Sequence, residues 1–415
     1  WQYRSQDSAD VALFTLPQAL SPSDTITLSL IFELKIPSMV SRLGHRDQHY
    51  ELTQWYPKPA VYDAEGWHPM SYLEQGEYYS EWADYQVSIT LPAKYRVAAT
   101  GVLLDPDEMS WRDSLARLGN SVLDSLIMDP EVEIATLTTR QDTEIPAEDR
   151  LKTITFHQKN VHDFAWFADK EYLVTMKPFQ MPSGKMVDAW TFCLPQNFKT
   201  FQLSNQYAGQ ALQDYSRWFM EYPYESVTVV DGDNSPGGGM EYPMITLINA
   251  VGLQPLMEVA IVHEVGHNWF YGLLGTHERR FPWMDEGLNT YGENRYWKKK
   301  YPQNQILAFH GETPTFAKWA NFFLRNATKT ALEESLYYSR AKPGIDQPPA
   351  LESEAFSTSN YGLMTYQKAA FATETLHNYL GDVKMDSLWR SFFRVWAFKH
   401  PQPHHLREHF ESGSG

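Results

Sequence analysis

The sequence predicts an α+β chain, with a β-rich N-terminal region followed by a C-terminal region that is mixed at first and then mostly helical. Residues 26–36 and 85–104 alternate apolar with polar side chains and are rich in β-branched residues, the pattern of half-buried strands. Apolar residues at helical spacing dominate after residue 203, interrupted by two short β-rich runs at 225–230 and 244–249. At 415 residues the chain has room for two or three domains with ample core.

The elements follow in order. The N-terminal region, 1–176, holds the strands at 26–36 and 85–104 and returns to strands over 152–174. Between them, 106–148 is polar, acidic and irregular, with one helical patch near 114–127, and reads as an insertion or long loop. His162 and Asp163 are neighbours on a strand, so they point to opposite faces and are expected to be structural. Lys177-Pro178 opens the C-terminal region, 177–415. There a helix at 203–219 and strands at 225–230 and 244–249 precede an apolar helix at 256–271. Another helix runs from Pro282 to the Lys298-Lys299-Lys300 cluster, which suits the negative end of a helix dipole. Helices and proline-bearing loops fill 312–354, and helices follow at 369–380 and 385–398. The histidines of His400-Pro401-Gln402-Pro403-His404-His405 read as surface residues. No internal repeat or heptad run appears.

Composition excludes several classes. The formal net charge of −16 opposes binding to nucleic acid or anionic lipid and mildly favours cationic peptide N-termini. No run of eighteen apolar residues offers a transmembrane helix. Cys193 is the single cysteine, so neither an internal disulfide nor a thiolate metal cluster can form. No signal peptide is visible in a chain that starts at Trp1, and the compartment stays open. Oligomeric state is not written in the sequence.

The chemistry is concentrated in His263-Glu264-Val265-Gly266-His267 and in Glu286 beyond it. On a helix, four residues advance about 400°, so both imidazoles emerge from one face, roughly 6 Å apart along the axis. They can converge on one zinc ion, with Glu286 as third ligand if a second helix crosses beside the first, leaving the fourth position for water. In an otherwise apolar helix, unpartnered histidines and a glutamate would each cost several kcal/mol, which argues that an ion satisfies them. Zinc lowers the pKa of a water to around 7, and Glu264, offset by 100° from His263, can take its proton and later deliver it to a leaving amine. Glu293 lies two turns beyond Glu286 on the same face, where it can accept a ligand histidine's N–H or simply face solvent. Gly238-Gly239-Met240-Glu241 reads either as a flexible turn into an edge strand or as a peptide-binding strand whose Glu241 pairs with a substrate ammonium.

These motifs resemble a known family. His263-Glu264-Val265-Gly266-His267-Asn268-Trp269-Phe270, Trp283-Met284-Asp285-Glu286-Gly287, Gly238-Gly239-Met240-Glu241-Tyr242 and Tyr366-Gln367-Lys368 are similar to motifs of the aminopeptidase N-like gluzincins, peptidase family M1, with a lean to bacterial members. The likeness extends to the strand residues around 85–101 and covers most of the chain. It implies a saddle-like β-sandwich domain followed by a thermolysin-like zinc peptidase domain. It also implies one zinc ion on His263, His267 and Glu286, Glu264 as general base and Tyr366 as donor to the oxyanion. Glu241, Gly238, Gly239, Met240 and, by a looser match, Gln54 would bind a peptide with a free N-terminus, the edge strand taking its backbone by strand addition. Tyr361 is expected to pack. Two positions depart from the family pattern, Tyr242 in place of asparagine and Ala369 in place of glycine. Family members usually extend before residue 1 and carry a helical domain after residue 415, so the chain reads as a fragment; bacterial members with leaders tilt the compartment towards export. Cleavage of the N-terminal peptide bond is the leading reading. An endopeptidase or epoxide hydrolase on the same scaffold, and a non-catalytic scaffold homologue, are the alternatives.

Overall fold

The computed structural model describes residues 2–5, 10–73, 75–128, 150–232, 238–302 and 328–414. A pair of antiparallel sheets face each other in the N-terminal region. One joins Ala83–Pro92, Leu151–Val161 and Val102–Leu103; the other joins Gly44–Arg46, His49–Leu52, Trp166–Asp169 and Arg96–Ala99. Ile89, Leu91, Ile154 and Phe156 from the first meet Val97, Ala99 and Ala168 from the second in one buried cluster, as alternation on a pleated strand requires. The 26–36 run does not behave as predicted. It forms no ladder among the described residues, and Ile26, Leu28, Leu30, Ile31, Phe32 and Leu34 are all exposed. Period-two patterning marks a strand only where a neighbour takes up its backbone groups.

The C-terminal region is organised by a five-stranded mixed sheet in the order Leu173–Gln180, Met186–Cys193, Ser226–Asp231, Ile245–Ile248, Gly239–Tyr242. Its three inner strands are parallel and both outer ones antiparallel. The strand Leu173–Gln180 runs through residue 176, the expected boundary between the two regions. Its free edge is covered by a helix, Pro106–Met128, which contains the helical patch expected at 114–127 and extends it back through residues expected to be irregular. Pro106 at the start and Asp107 and Glu108 in the first turn favour a helix N-terminus. Leu115, Ala116, Gly119, Val122 and Leu126 form its buried stripe. Gly119 permits the contact, since a Cβ there would stand 2.0 Å from Val174 O. Asn120 then satisfies the edge, donating to Met176 O at 2.9 Å and accepting from Met176 N at 3.2 Å. The rest of the expected insertion, 129–148, lies outside the described residues, as do 303–327.

The helices Ser204–Trp218, Gln254–Gly266, Leu288–Lys300 and Asp382–Trp396 share the largest core cluster, with Tyr215, Val265, Tyr291 and Trp389 fully buried. The motif helix ends at Gly266 rather than 271. His267 keeps helical angles, but the chain then turns sharply and Tyr271 has φ 104°; Gly272 N bonds back to His267 O at 2.8 Å. Gly266 lets the next helix cross close by, because a Cβ would meet Asn289 Oδ1 at 2.1 Å. No described helix is long and apolar enough to cross a membrane.

His162 and Asp163 sit in the packing between the two regions. Asp163 accepts from Lys58 at 2.8 Å and from Tyr56 at 2.9 Å, while His162 is buried with its ring 4.2 Å from that of Tyr271. His400 is tied to Gly275 O at 2.8 Å and to Glu81 at 3.2 Å. His49 is also buried, between Glu51 at 3.2 Å and Asp169 at 3.4 Å. Burial opposes its charge, but the two carboxylates outweigh this and raise it to about 9. A histidine raised on folding stabilises fully below its unfolded value near 6.5, and that stability is lost as pH rises through about 9. The unfolding free energy of the wild type should therefore fall between pH 6.5 and 9.5 by more than that of His49→Gln, by on the order of 1–3 kcal/mol. Parallel melting curves for the two proteins across that range would refute the assignment.

Candidate active site

The motif helix, Gln254–Gly266, begins with Pro255 in its first turn, where a missing N–H costs nothing. It presents His263 and His267 to a wide turn at Trp283–Gly287, a π-helical segment that leads directly into the helix Leu288–Lys300. Glu286 stands in that segment. Asn289, one turn on, locks the crossing by donating to His263 O at 2.7 Å. The distances from His263 Nε2 to Glu286 Oε2, from His267 Nε2 to Glu286 Oε2 and between the two Nε2 atoms are 3.1, 3.2 and 3.2 Å.

The far nitrogens are held from behind. His263 Nδ1 meets Glu293 Oε2 at 2.9 Å; His267 Nδ1 meets Asp285 Oδ1 at 2.8 Å and Phe270 O at 3.1 Å. With both Nδ1 atoms donating, the two Nε2 lone pairs and one carboxylate oxygen converge on a single point. Burial alone would keep the imidazoles neutral. The carboxylates around them overcome it, raising His263 to about 9 and His267 well above its ordinary value, while the imidazoles hold Glu286 well below the ordinary carboxylate range against its own burial. The pocket is thus made for positive charge. Ligand atoms 2.0–2.1 Å from a tetrahedral zinc stand about 3.3–3.4 Å apart, so the observed triangle fits such an ion with a small expansion.

Glu264 points to the other side of the helix end, towards the strand Gly239–Tyr242. Glu241, Glu264 and His267 offer ligand-type atoms within 4.8 Å of one another, as do His263, His267 and Glu286. Burial pushes the Glu241 and Glu264 carboxyls up, with His267 pulling against it in the first and His263 and His267 in the second. Glu264 Oε2 is buried with no hydrogen-bond partner among the described residues. Glycine at 239 leaves room for the Glu264 carboxylate, since a Cβ would stand 2.5 Å from its Oε1. Gly238 is exposed beside it, and Gly237 lies outside the described residues. Gly239–Tyr242 is the outer strand of its sheet, pairing only with Ile245–Ile248 among the described strands. Successive residues alternate, so Tyr242 faces away from Glu241 into the cluster of Phe167, Trp190 and Leu247.

Tyr366 lies in a second π-helical segment, Tyr361–Lys368. Its ring stacks on His263 with centroids 5.7 Å apart, and its hydroxyl donates to Glu286 Oε1. Ala369, next to the motif, packs on the Glu286 turn; Gly287 has no room for a side chain, its Cβ position being 2.4 Å from Ala369 Cβ. Tyr361 does more than pack, since its hydroxyl donates to the buried Glu278 at 2.7 Å. Gln54 has φ 51° and donates to Glu77 Oε2 at 3.3 Å. Glu77 is also paired with Arg42, and its backbone N–H donates to Glu278 at 2.7 Å. Tyr56 turns away from the site, its hydroxyl donating to Asp163 at 2.9 Å and lying 2.9 Å from that of Tyr85. Sequence reasoning missed Asp285, Glu77 and Glu278. Only Asp285 left a signal, as an acid adjacent to a proposed ligand.

Fold and donor set together define a class, the H-E-x-x-H…E metallopeptidases. The Peptidase family M1 domain profile matches residues 205–415, and the chain belongs to that family. Human aminopeptidase Q is 24% identical over 163 residues, which is 38% of this chain and 14% of that protein; its counterpart in Felis catus is 23% identical over 157 residues. A Legionella pneumophila aminopeptidase A in complex with aspartic acid has a TM-score of 0.61 at 15% identity, over 92% of this chain and 38% of that one. An M1 zinc metallopeptidase from Deinococcus radiodurans has a TM-score of 0.57 at 16% identity, over 90% and 68%. The chain thus spans well under half the length of the curated relatives it matches.

Proposed function

We propose that this chain carries the catalytic site of a zinc aminopeptidase that hydrolyses the N-terminal peptide bond. The observation that supports this reading best is the closeness of Glu241 to Glu264 and His267. An α-ammonium nitrogen lies only about 2.5 Å from the scissile carbonyl carbon of its own residue. A carboxylate gathered this near the base therefore holds the substrate by its first residue. His263, His267 and Glu286 would hold the ion. Bound zinc supplies Lewis acidity, polarising the scissile carbonyl and acidifying a water.

The residues do the rest. Glu241 receives the ammonium, and the small Gly238 and Gly239 let the peptide run against the backbone as far as Met240. The outer edge of that strand offers main-chain groups to an extended peptide. Glu264 accepts the proton of the attacking water and returns it to the leaving amine. Tyr366 donates to the oxygen that becomes negative. Gln54 acts at one remove, by orienting Glu77. A Deinococcus radiodurans neighbour with 15% identity and a TM-score of 0.55 is bound to a Tyr-Ser-Ala substrate, a peptide of the kind proposed here.

An aminoacyl-naphthylamide and its N-acetylated form test the reading. The free amine should be cleaved and the blocked one not. Glu241→Gln should lower kcat/KM on the free amine about 10- to 100-fold, the worth of a hydrogen bond to a charged group, without activity appearing on the blocked compound. Equal cleavage of the blocked compound by the wild type would make the protein an endopeptidase.

A further inference from the structure

Lys329 opens the helix Lys329–Ala341 just after its N-cap Thr328, and it is a fully enclosed ammonium, 3% exposed. Three acceptors surround it: Glu293 Oε1 at 2.8 Å, Glu333 one turn along its own helix, and the side-chain oxygen of Asn294. The other oxygen of Glu293 is the one that meets His263 Nδ1 at 2.9 Å. Charge, carboxylate and imidazole thus form one line from a separate helix to the donor triangle. An ammonium is costly to enclose unless it is fully paired, and this one has an acceptor for each of its three N–H bonds.

We propose that Lys329 is a positioning residue for the metal site: its ammonium fixes the Glu293 carboxylate that orients His263, and so governs how firmly His263 holds zinc. This rests on the reading of His263 as a zinc ligand. Glu293 has only two oxygens. With one pinned by Lys329, the other has a single orientation in which to accept from His263, and the ring's Nε2 stays aimed at Glu286. Without the ammonium, Glu293 is a buried carboxylate free to rotate, and the ring loses its fixed direction. Outer partners of this sort typically change metal affinity 10- to 100-fold when lost.

The test is zinc affinity and zinc release into a chromogenic chelator, measured on the whole chain with the melting temperature of the metal-free protein recorded alongside. Lys329→Met should lower affinity 10- to 100-fold and speed release. Lys329→Arg, which keeps the charge, should restore most of both. Lys329→Met with Glu333→Leu removes the second charge that the lysine neutralised, so it separates folding from positioning: stability should recover while zinc affinity stays low. Lys300→Met breaks a comparable pairing, with Glu258 away from the donor triangle, and should leave zinc affinity unchanged. Recovery of affinity together with stability in the double variant would reduce Lys329 to a folding role and overturn the proposal. So would wild-type affinity in Lys329→Met. A wild type that binds no zinc would instead overturn the assignment of the ligands themselves.

Discussion

Glu264→Gln is expected to lower kcat about 10²–10⁴-fold, the usual contribution of a positioned general base, with zinc content unchanged. Glutamine keeps the size of the side chain and its fit beside Gly239, where a Cβ would already stand 2.5 Å from Glu264 Oε1. What it loses is the ability to take a proton. Glu264 approaches the converging atoms of His263 and His267 from the Glu241 side, whereas Glu286 approaches from the π-helical turn. The carboxylate oxygen with no partner among the described residues, Glu264 Oε2, is therefore separate from the three proposed ligand atoms. The measurement is kcat on an aminoacyl-naphthylamide with zinc quantified in the same preparation. Loss of zinc in step with loss of rate would mean that Glu264 ligates rather than acts as base. Retained activity would remove it from the chemistry.

The features of this site that were legible in the sequence are those set by one helix's own period. His263 and His267 share a face because four residues make just over a turn, and the same period puts Glu293 two turns beyond Glu286. It is found there, at His263 Nδ1. The Gly239–Tyr242 edge strand was also readable, because its glycines and alternation are local. What escaped depends on partners distant in sequence. Glu77 and Glu278 meet across about 200 positions, and Lys329 reaches Glu293 from a helix whose own pattern says nothing about metal. Both Glu286 and Tyr366 stand in π-helical segments, which no residue pattern announces.

The failures have the same origin. Residues 26–36 carry a strand's alternation, but alternation does not supply a neighbour. The helical patch expected near 114–127 is there, but the helix begins at Pro106, within what reads as loop, because one stripe with Gly119 at its closest approach can cover the open edge at Val174 and Met176. Tyr242 stands where the family pattern has asparagine. Its side chain lies on the core face of the strand, so the change of residue fills the packing beside Phe167 and leaves the Glu241 face intact.

Tyr366→Phe is the second large effect, and it separates two roles that share one hydroxyl. As donor to the developing oxyanion, Tyr366 should contribute about 10²–10³ in kcat, or roughly 3–4 kcal/mol, with little change in KM. Here its hydroxyl donates to Glu286 Oε1, so it also has the geometry to hold a proposed ligand. Its ring stacks on His263, which keeps the hydroxyl beside Glu286 and the donor triangle. If the donor role dominates, Tyr366→Phe keeps its zinc and added zinc does not restore the rate. If the holding role dominates, zinc affinity falls and excess metal restores turnover. Tyr361→Phe provides the scale, since that hydroxyl is engaged by Glu278 and its loss should change kcat by less than about tenfold. The donor role is expected to dominate, because Glu286 Oε2 already has both imidazoles to position it, at 3.1 and 3.2 Å, whereas no other described side-chain hydroxyl bonds to Glu286.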